Sequence, residues 1–258
     1  MHKFCIVRIV GNENPPRDLP GSRLRSLEFI LLNEPNFADT TKLYVLNRLV
    51  DQDYRRSVID MLEAYQQPFY EIPFPAAKLK AAPDMSHADM NLEVIGINSA
   101  RNTGIAVGHA VADYAIIFDG DCFFDLTGWN EFIDTVERTP SHYYSIPTLR
   151  IKPEQYQTQL DRNYTEPMPV FHRDSLERFD VTRLFGNCDK LELLHRLGHD
   201  GTANTNHCTI HGDRTVLAGY CCHMQTGADE TEEILPVRML LRHQSIHNLF
   251  ERARASLA

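Results

Sequence analysis

Apolar positions in the first half of the chain fall in short runs separated by amphipathic stretches, and this alternation sets the expected fold. Phe4 to Val10 is rich in Ile and Val and barely alternates, as a strand buried on both faces does. The polar, Gly-led segment Gly11-Asn12-Glu13-Asn14-Pro15-Pro16-Arg17-Asp18 then reads as a loop. Leu24, Leu27, Ile30 and Leu31 share one helical face, with Ser22 as the expected N-cap. Lys42 to Val50 reads as a second strand, and Asp53 as the cap of a helix whose Tyr54, Val58, Met61, Leu62 and Tyr65 align. Phe69 to Phe74, a short run between prolines, suits a third strand near a sheet edge.

Pro75 to Asn91 has no clear period and reads as a long loop. Ser99 to Ala112 is helical, with Ala100, Gly104, Val107 and Val111 on one face, and its small residues point to close packing on a sheet. Tyr114-Ala115-Ile116-Ile117-Phe118 follows as a further buried strand. Strands and helices that alternate in this way predict an α/β fold, a Rossmann-type, mostly parallel sheet flanked by helices. The second half alternates less. Trp129, Phe132, Ile133 and Val136 predict a helix, Tyr143 to Ile151 a strand, Lys152 to Glu166 a loop, and Pro169 to Arg173 a short strand. Asp189 stands where it would cap a helix bearing Leu191, Leu194 and Leu197, with Gly198 at its stop. Thr209 to His211 and Val216 to Tyr220 read as paired strands, and Glu233 to Ala258 as a helix with Met239, Ile246, Phe250 and Ala253 aligned. A single domain is expected, with residues 1–124 as a ligand-binding half and 125–258 as an extension beside it.

Composition narrows the function. A net charge of −9 argues against a broad grip on nucleic acid, but leaves room for a local basic pocket. No apolar run is long enough to span a bilayer, and the run after Met1-His2-Lys3 is too short for a signal peptide, so a cytoplasmic protein is expected. The six cysteines, at 5, 122, 188, 208, 221 and 222, form no CxxC pair and read as reduced, mostly buried thiols.

The chemistry concentrates where the fourth strand ends, in Phe118-Asp119-Gly120-Asp121-Cys122-Phe123-Phe124. Carboxylates at the carboxyl end of a buried parallel strand lie where open α/β sheets bind ligands. Two acids there need a cation or strong donors, and an oxygen-rich site for Mg²⁺ or Mn²⁺ satisfies both. A turn with two solvated acids is the plain alternative. The loop from Gly11, after the first strand, is a usual nucleotide-binding position, from which Arg17 would reach a phosphate or simply sit exposed.

The block Asn98-Ser99-Ala100-Arg101-Asn102-Thr103-Gly104, followed by the Asp119-Gly120-Asp121 strand, resembles the core of GT-A glycosyltransferases, in which an Ala-Arg-Asn helix precedes an apolar strand ending in a DxD motif. The resemblance covers Phe4 to Phe124 in pattern and the remainder loosely. It implies a nucleoside diphosphate sugar, a UDP-sugar above all, held through Mn²⁺ (or Mg²⁺), with Asp121 on the metal and Asp119 on the metal, its water or the ribose. A metal bridging the leaving pyrophosphate would neutralise the charge that develops there. The resemblance also implies a downstream histidine ligand, His223 with His211 as runner-up. It places Asn98, Arg101 and Asp51 near the nucleotide, although Arg101 could instead pair with Asp119, and Asp51 could be a turn former or a helix cap. It implies Asp189 as the base for an inverting transfer, with Asp174 and Glu233 as weaker candidates and an N-cap role for Asp189 as the alternative. The segment Asn47 to Asp51 lacks the Ser-rich acidic turn of large processive members, which argues against a polysaccharide synthase. A haloacid dehalogenase-type phosphatase would carry its acid pair after the first strand, and a nucleotidyltransferase would carry a Gly- and Lys/Arg-rich loop there; neither pattern is present. A nucleotide-sugar binder without transferase activity remains the alternative function.

Overall fold

The first strand, Phe4–Val10 (β1), is buried along its whole length and runs down the middle of the parallel part of a sheet that has nine strands among the described residues. The structure is a computed structural model and describes residues 2–152, 164–186, 190–198, 215–225 and 235–257. In chain order the helices are α1 (Ser22–Asn33), α2 (Gln52–Ala64), α3 (Ala76–Ala81), α4 (His87–Met90), α5 (Ile97–His109), α6 (Leu126–Arg138), α7 (Leu191–Arg196) and α8 (Leu235–Ala255). The other strands are β2 (Thr40–Asn47), β3 (Phe69–Ile72), β4 (Tyr114–Asp119), β5 (Cys122–Phe123), β6 (Tyr143–Ile151), β7 (Tyr164–His172), β8 (Thr215–Leu217) and β9 (Cys221–Met224).

The sheet order is β3-β2-β1-β4-β7-β6-β9-β5, with β8 beside β6. The first four strands are parallel, as their alternation with helices predicts. β7 is antiparallel to both β4 and β6. β9 is parallel to β6 and antiparallel to β5, in a register that sets Cys122 opposite His223.

One face of the sheet carries an aromatic core in which Phe4, Tyr114, Phe118, Phe124, Trp129, Phe132 and Tyr144 meet under α6. The other carries α5, whose approach is as close as its small residues predict. A Cβ at Gly108 would come within 2.9 Å of the Ala115 Cβ. The buried positions of α5 include Ala100, Arg101, Gly104, Ile105 and Gly108, so its inner face is rotated from the expected one and Val111 is exposed.

Several local expectations are corrected. Gly21, at φ 71°, precedes α1, and Ser22 lies inside the helix. Asp51 rather than Asp53 caps α2, its carboxylate accepting from the Asp53 and Tyr54 amides at 2.9 and 3.0 Å. Between Pro75 and Asn91 the chain forms α3 and α4 and then a π-helical turn, Asn91–Ile95. These short elements have an environment that periodicity does not reveal: Leu79, Met90, Val94 and Ile95 pack on Ile246, Leu249, Phe250 and Ala253 of α8. The C-terminal helix therefore covers the first half of the chain, although sequence order puts it in the second. β8 pairs with β6, and the expected partner strand from Thr209 to His211 lies outside the described residues.

A buried ion pair braces the turn after β4. Arg8, inside β1, donates from Nε to the Cys122 carbonyl at 2.8 Å and forms a salt bridge with Glu34. The Glu34 carboxylate in turn accepts the Phe124 amide at 2.9 Å. Burial works against the charge on Arg8, but the Glu34 carboxylate outweighs it and raises the guanidinium's pKa. Both sides of Phe123 are thereby tied to charged groups.

Candidate functional site

The carboxyl ends of β1, β2 and β4 open into a cleft with about 700 Å³ of empty space. Its position is the one that doubly wound sheets use for ligands. Gly11, Asn12 and Arg17 from the loop after β1, Asn47 from β2, and Asp119 and Asp121 from the end of β4 line it. A second cavity adjoins it and shares Arg17, Arg101, Asp119, Phe185 and His223 with the first.

Asp119 ends β4 and faces two cations. Arg101 donates from Nη2 to Oδ1 at 2.9 Å, and Lys190 donates from Nζ to Oδ2 at 3.2 Å. Burial works against its ionisation, yet the Lys190 and Arg101 charges prevail and hold the carboxyl far below the usual range. Arg101 is itself fixed, donating to Asn98 Oδ1 at 3.0 Å and lying 5.4 Å over the Phe179 ring. Lys190 is bridged further to Glu166 at 3.0 Å. Burial would lower its pKa, but Asp119 and Glu166 raise it, so it stays an ammonium.

Asp121 lies across a turn that glycine makes possible. A Cβ on Gly120 would stand 2.9 Å from the Ile9 carbonyl oxygen, on the backbone of β1. The turn delivers Asp121 Oδ1 to within 3.4 Å of His223 Nε2, both side chains being largely buried. Burial opposes the charge on Asp121, but His223, with Arg23 behind it, brings its pKa down to about 2. Cys122 Sγ completes a group of three potential metal-ligating atoms within 4.8 Å of one another. Burial and a hydrogen bond with Cys221 push the Cys122 thiol well above its ordinary value, so it is held as a neutral thiol rather than a thiolate.

A divalent cation fits this donor set. Asp121 and His223 supply one carboxylate and one imidazole facing an open cleft, which leaves positions for phosphate oxygens and water. Imidazole beside carboxylate suits Mn²⁺ better than Mg²⁺. The Asp119 carboxylate is already engaged by Arg101 and Lys190.

The structure brings Gly11, Arg17, Arg101, Asp119, Asp121 and His223 together at one cleft. Asn98 does not line either cavity; it is buried, and it accepts from Arg101 while donating to the Asp180 carbonyl at 2.8 Å. Asp51 caps α2, is exposed, and is not among the cleft's lining residues. Asp189, His211 and Glu233 lie outside the described residues. Asp174 stands in the turn after β7, beside His172 at 3.4 Å and away from both cavities.

Sequence reasoning missed Asn12, Arg23, Asn47 and Lys190. Asn12 clips the first loop to the end of β2, donating to the Arg48 carbonyl at 3.0 Å and accepting from the Val50 amide at 2.8 Å. Arg23 grips Asp18 through two hydrogen bonds of 2.9 and 3.2 Å. A signal for Arg23 existed: a cation in the first turn of a helix opposes the macrodipole, so it implies an acidic partner nearby. Lys190 carried none, because its partners Asp119 and Glu166 are distant in sequence, and the same holds for the Asn47 bond to the Ile95 carbonyl.

The sequence matches no family model and no curated protein. In three dimensions the chain resembles GalNAc-T7, solved with UDP, GalNAc and Mn²⁺, at a TM-score of 0.55 and 8% identity over 88% of this chain and 44% of that one. It also resembles residues 1–349 of TarS from S. aureus, at a TM-score of 0.50 and 9% identity over 99% of this chain and 70% of that one. The chain thus spans less than half the length of the GalNAc-T7 structure. The likeness is one of fold: a mixed α/β fold with a mostly parallel sheet and helices, which resembles GT-A glycosyltransferase folds.

Proposed function

We propose that this protein binds a nucleoside diphosphate sugar, specifically a UDP-sugar, through a divalent cation and transfers the sugar to an acceptor. The observation that carries this reading is the meeting of Asp121 with His223 at the carboxyl end of β4, in the same cleft as the Gly11 loop. Asp121 and His223 would hold Mn²⁺ (or Mg²⁺), which supplies charge neutralisation at a diphosphate leaving group. Around it the chain's own groups have defined work. Arg17, whose amide donates to Ser245 Oγ at 2.9 Å on α8, presents a guanidinium to the cleft for phosphate oxygens. Asn12, Asn47 and Gly11 frame the base and ribose. Asn98 and Asp51 act indirectly in this reading, Asn98 by fixing Arg101 and Asp51 by capping α2.

The second cavity, beyond Asp119, is the acceptor's place. Asp189 is the proposed base for an inverting transfer, supported by its neighbour Lys190, which lines that cavity. A fixed array of Arg101, Asp119 and Lys190 between the cavities costs no rearrangement when charge develops there. The Gly11-to-Arg17 opening also resembles that of majastridin, a bacterial GT-A-like protein, and we include that narrower kinship in the proposal. A cytoplasmic location is part of it too, supported by four buried free cysteines among the described residues. Among those residues no helix is long and apolar enough to cross a membrane.

Calorimetric titration of UDP with and without Mn²⁺, repeated on Asp121→Ala, tests the donor site. Metal-dependent binding that the substitution abolishes is the expected result, and absence of such binding in the wild type overturns the reading. Hydrolysis of UDP-sugars, measured next, separates a transferase, which turns donor over, from a nucleotide-sugar binder, which does not.

A further inference from the structure

A second cluster of metal-ligating side chains stands at the opposite end of the sheet. His142 directly precedes β6 and His172 ends β7, and the antiparallel register of Tyr143 with Phe171 makes the two histidines a cross-strand pair. The His172 amide donates to the His142 carbonyl at 2.9 Å, and the two rings lie parallel, with 10° between planes and 5.3 Å between centroids. Asp174, two residues further in the turn, places Oδ2 3.4 Å from His172 Nδ1. One ligating atom from each of the three lies within 4.8 Å of the other two. The Tyr114 ring meets His172 at 4.8 Å, and His2 lies edge-on to Tyr114 at 5.3 Å.

We propose that His142, His172 and Asp174 form a binding site for a borderline transition-metal cation such as Zn²⁺ or Co²⁺, separate from the Asp121–His223 site. The chemistry of the donors selects the ion. Two imidazoles and one carboxylate match Zn²⁺, Co²⁺, Ni²⁺ or Cu²⁺, whereas Mg²⁺ and Ca²⁺ take oxygen. Ligands bonded at about 2.0–2.1 Å to a tetrahedral ion sit about 3.4 Å apart. The present spacing reaches that with side-chain rotations alone, because His142 and Asp174 are exposed and the strand pairing already fixes both backbones. Parallel imidazoles side by side bind metal only when neutral. The Asp174 amide donates to His172 Nδ1 at 3.3 Å, a contact that a metal on that nitrogen would displace. A fourth position is left for water.

The site would join β6, β7 and the following turn where β7 crosses from the parallel half of the sheet to the antiparallel one. It would cross-link the end of the β6–β7 ladder, next to its Tyr143–Phe171 pair.

The test is a Co²⁺ titration of tag-free, full-length protein, read by the visible absorption of bound cobalt, with thermal melts in Zn²⁺ alongside. Wild type and His142→Asn, His172→Asn, Asp174→Asn and Asp121→Asn variants are compared. The expected result is one cobalt equivalent that each of the first three substitutions weakens about tenfold or more, that Asp121→Asn leaves in place, and that raises the melting temperature. His142 is exposed, so its variant retains the metal-free melting temperature and separates ligation from misfolding. Equal cobalt affinity and stoichiometry in wild type and His142→Asn overturns the proposal, as does loss of all cobalt binding in Asp121→Asn. Failure of UDP to bind refutes the proposed donor site and leaves this titration unaffected.

Discussion

The buried Arg8–Glu34 pair connects the stability of the fold to the shape of the Asp119–Asp121 turn, and Glu34→Gln isolates that connection. The Arg8 guanidinium lies at complete burial over the Tyr44 and Phe118 rings, 5.6 and 5.7 Å from their centroids, so no water can replace a lost carboxylate. Removing one partner of a buried pair costs about 3–5 kcal/mol, because the remaining charge stays uncompensated. For a chain of this length each kcal/mol lowers the melting temperature by about 2 °C, which gives a loss of about 6–10 °C. Because Glu34 also accepts the Phe124 amide and Arg8 holds the Cys122 carbonyl, the same change loosens the backbone directly after Asp121. Mn²⁺-dependent UDP affinity should then fall about tenfold, equivalent to about 1.4 kcal/mol. Urea unfolding at neutral pH measures the first effect and calorimetry the second. The double variant Arg8→Met, Glu34→Met removes both charges but leaves the Cys122 carbonyl and the Phe124 amide without these partners, so it should recover part of the lost stability. A Glu34→Gln protein within 1 kcal/mol of wild type, or a double variant no more stable than Glu34→Gln, would refute the reasoning.

Further predictions follow from the same contacts. Gly120→Ala drives a Cβ to 2.9 Å from the Ile9 carbonyl, so it should cost about 1–3 kcal/mol and weaken metal-dependent UDP binding; unchanged binding by calorimetry would show that the turn can yield. In metal-free protein, Asp121 at about 2 and the lowered Asp18 and Asp119 bind protons less readily folded than unfolded. Their contribution is complete above the ordinary carboxylate range near pH 4 and is lost as pH falls toward 2, a slope that urea midpoints should show and Asp121→Asn should flatten. Cys5, pushed up to about 12 by burial, and the buried Cys122, Cys221 and Cys222 should resist an aromatic disulfide reagent until the protein unfolds; more than two fast thiols among the six in native protein would contradict their burial.

Much of this architecture is legible before folding. The runs Phe4 to Val10 and Tyr143 to Ile151 match their strands end to end, because continuous apolar character with β-branched or aromatic residues leaves little choice of structure. The small residues of α5 announce its close approach to β1 and β4. Asp119-Gly120-Asp121 after an apolar strand marks the site through cost alone, since two acids there require cations. Capping was less legible: Asp51 and Asp53 are both good caps, and only the backbone path after β2 selects Asp51.

What the sequence determined by itself is the α/β alternation, the position of the acid pair and the reduced state expected of its cysteines, because each depends on neighbours in the chain. Tertiary structure decided the partners. Lys190 reaches Asp119 from 71 residues away, Arg8 reaches Cys122 across 114, and α8 returns to pack on α3, α4 and the π-helical turn. It also decided that Asn98 acts on Arg101 and that His223 meets Asp121, through the antiparallel register of β5 with β9. These are long-range contacts, whose loop-closure cost is repaid only by the packed whole, so no local pattern encodes them.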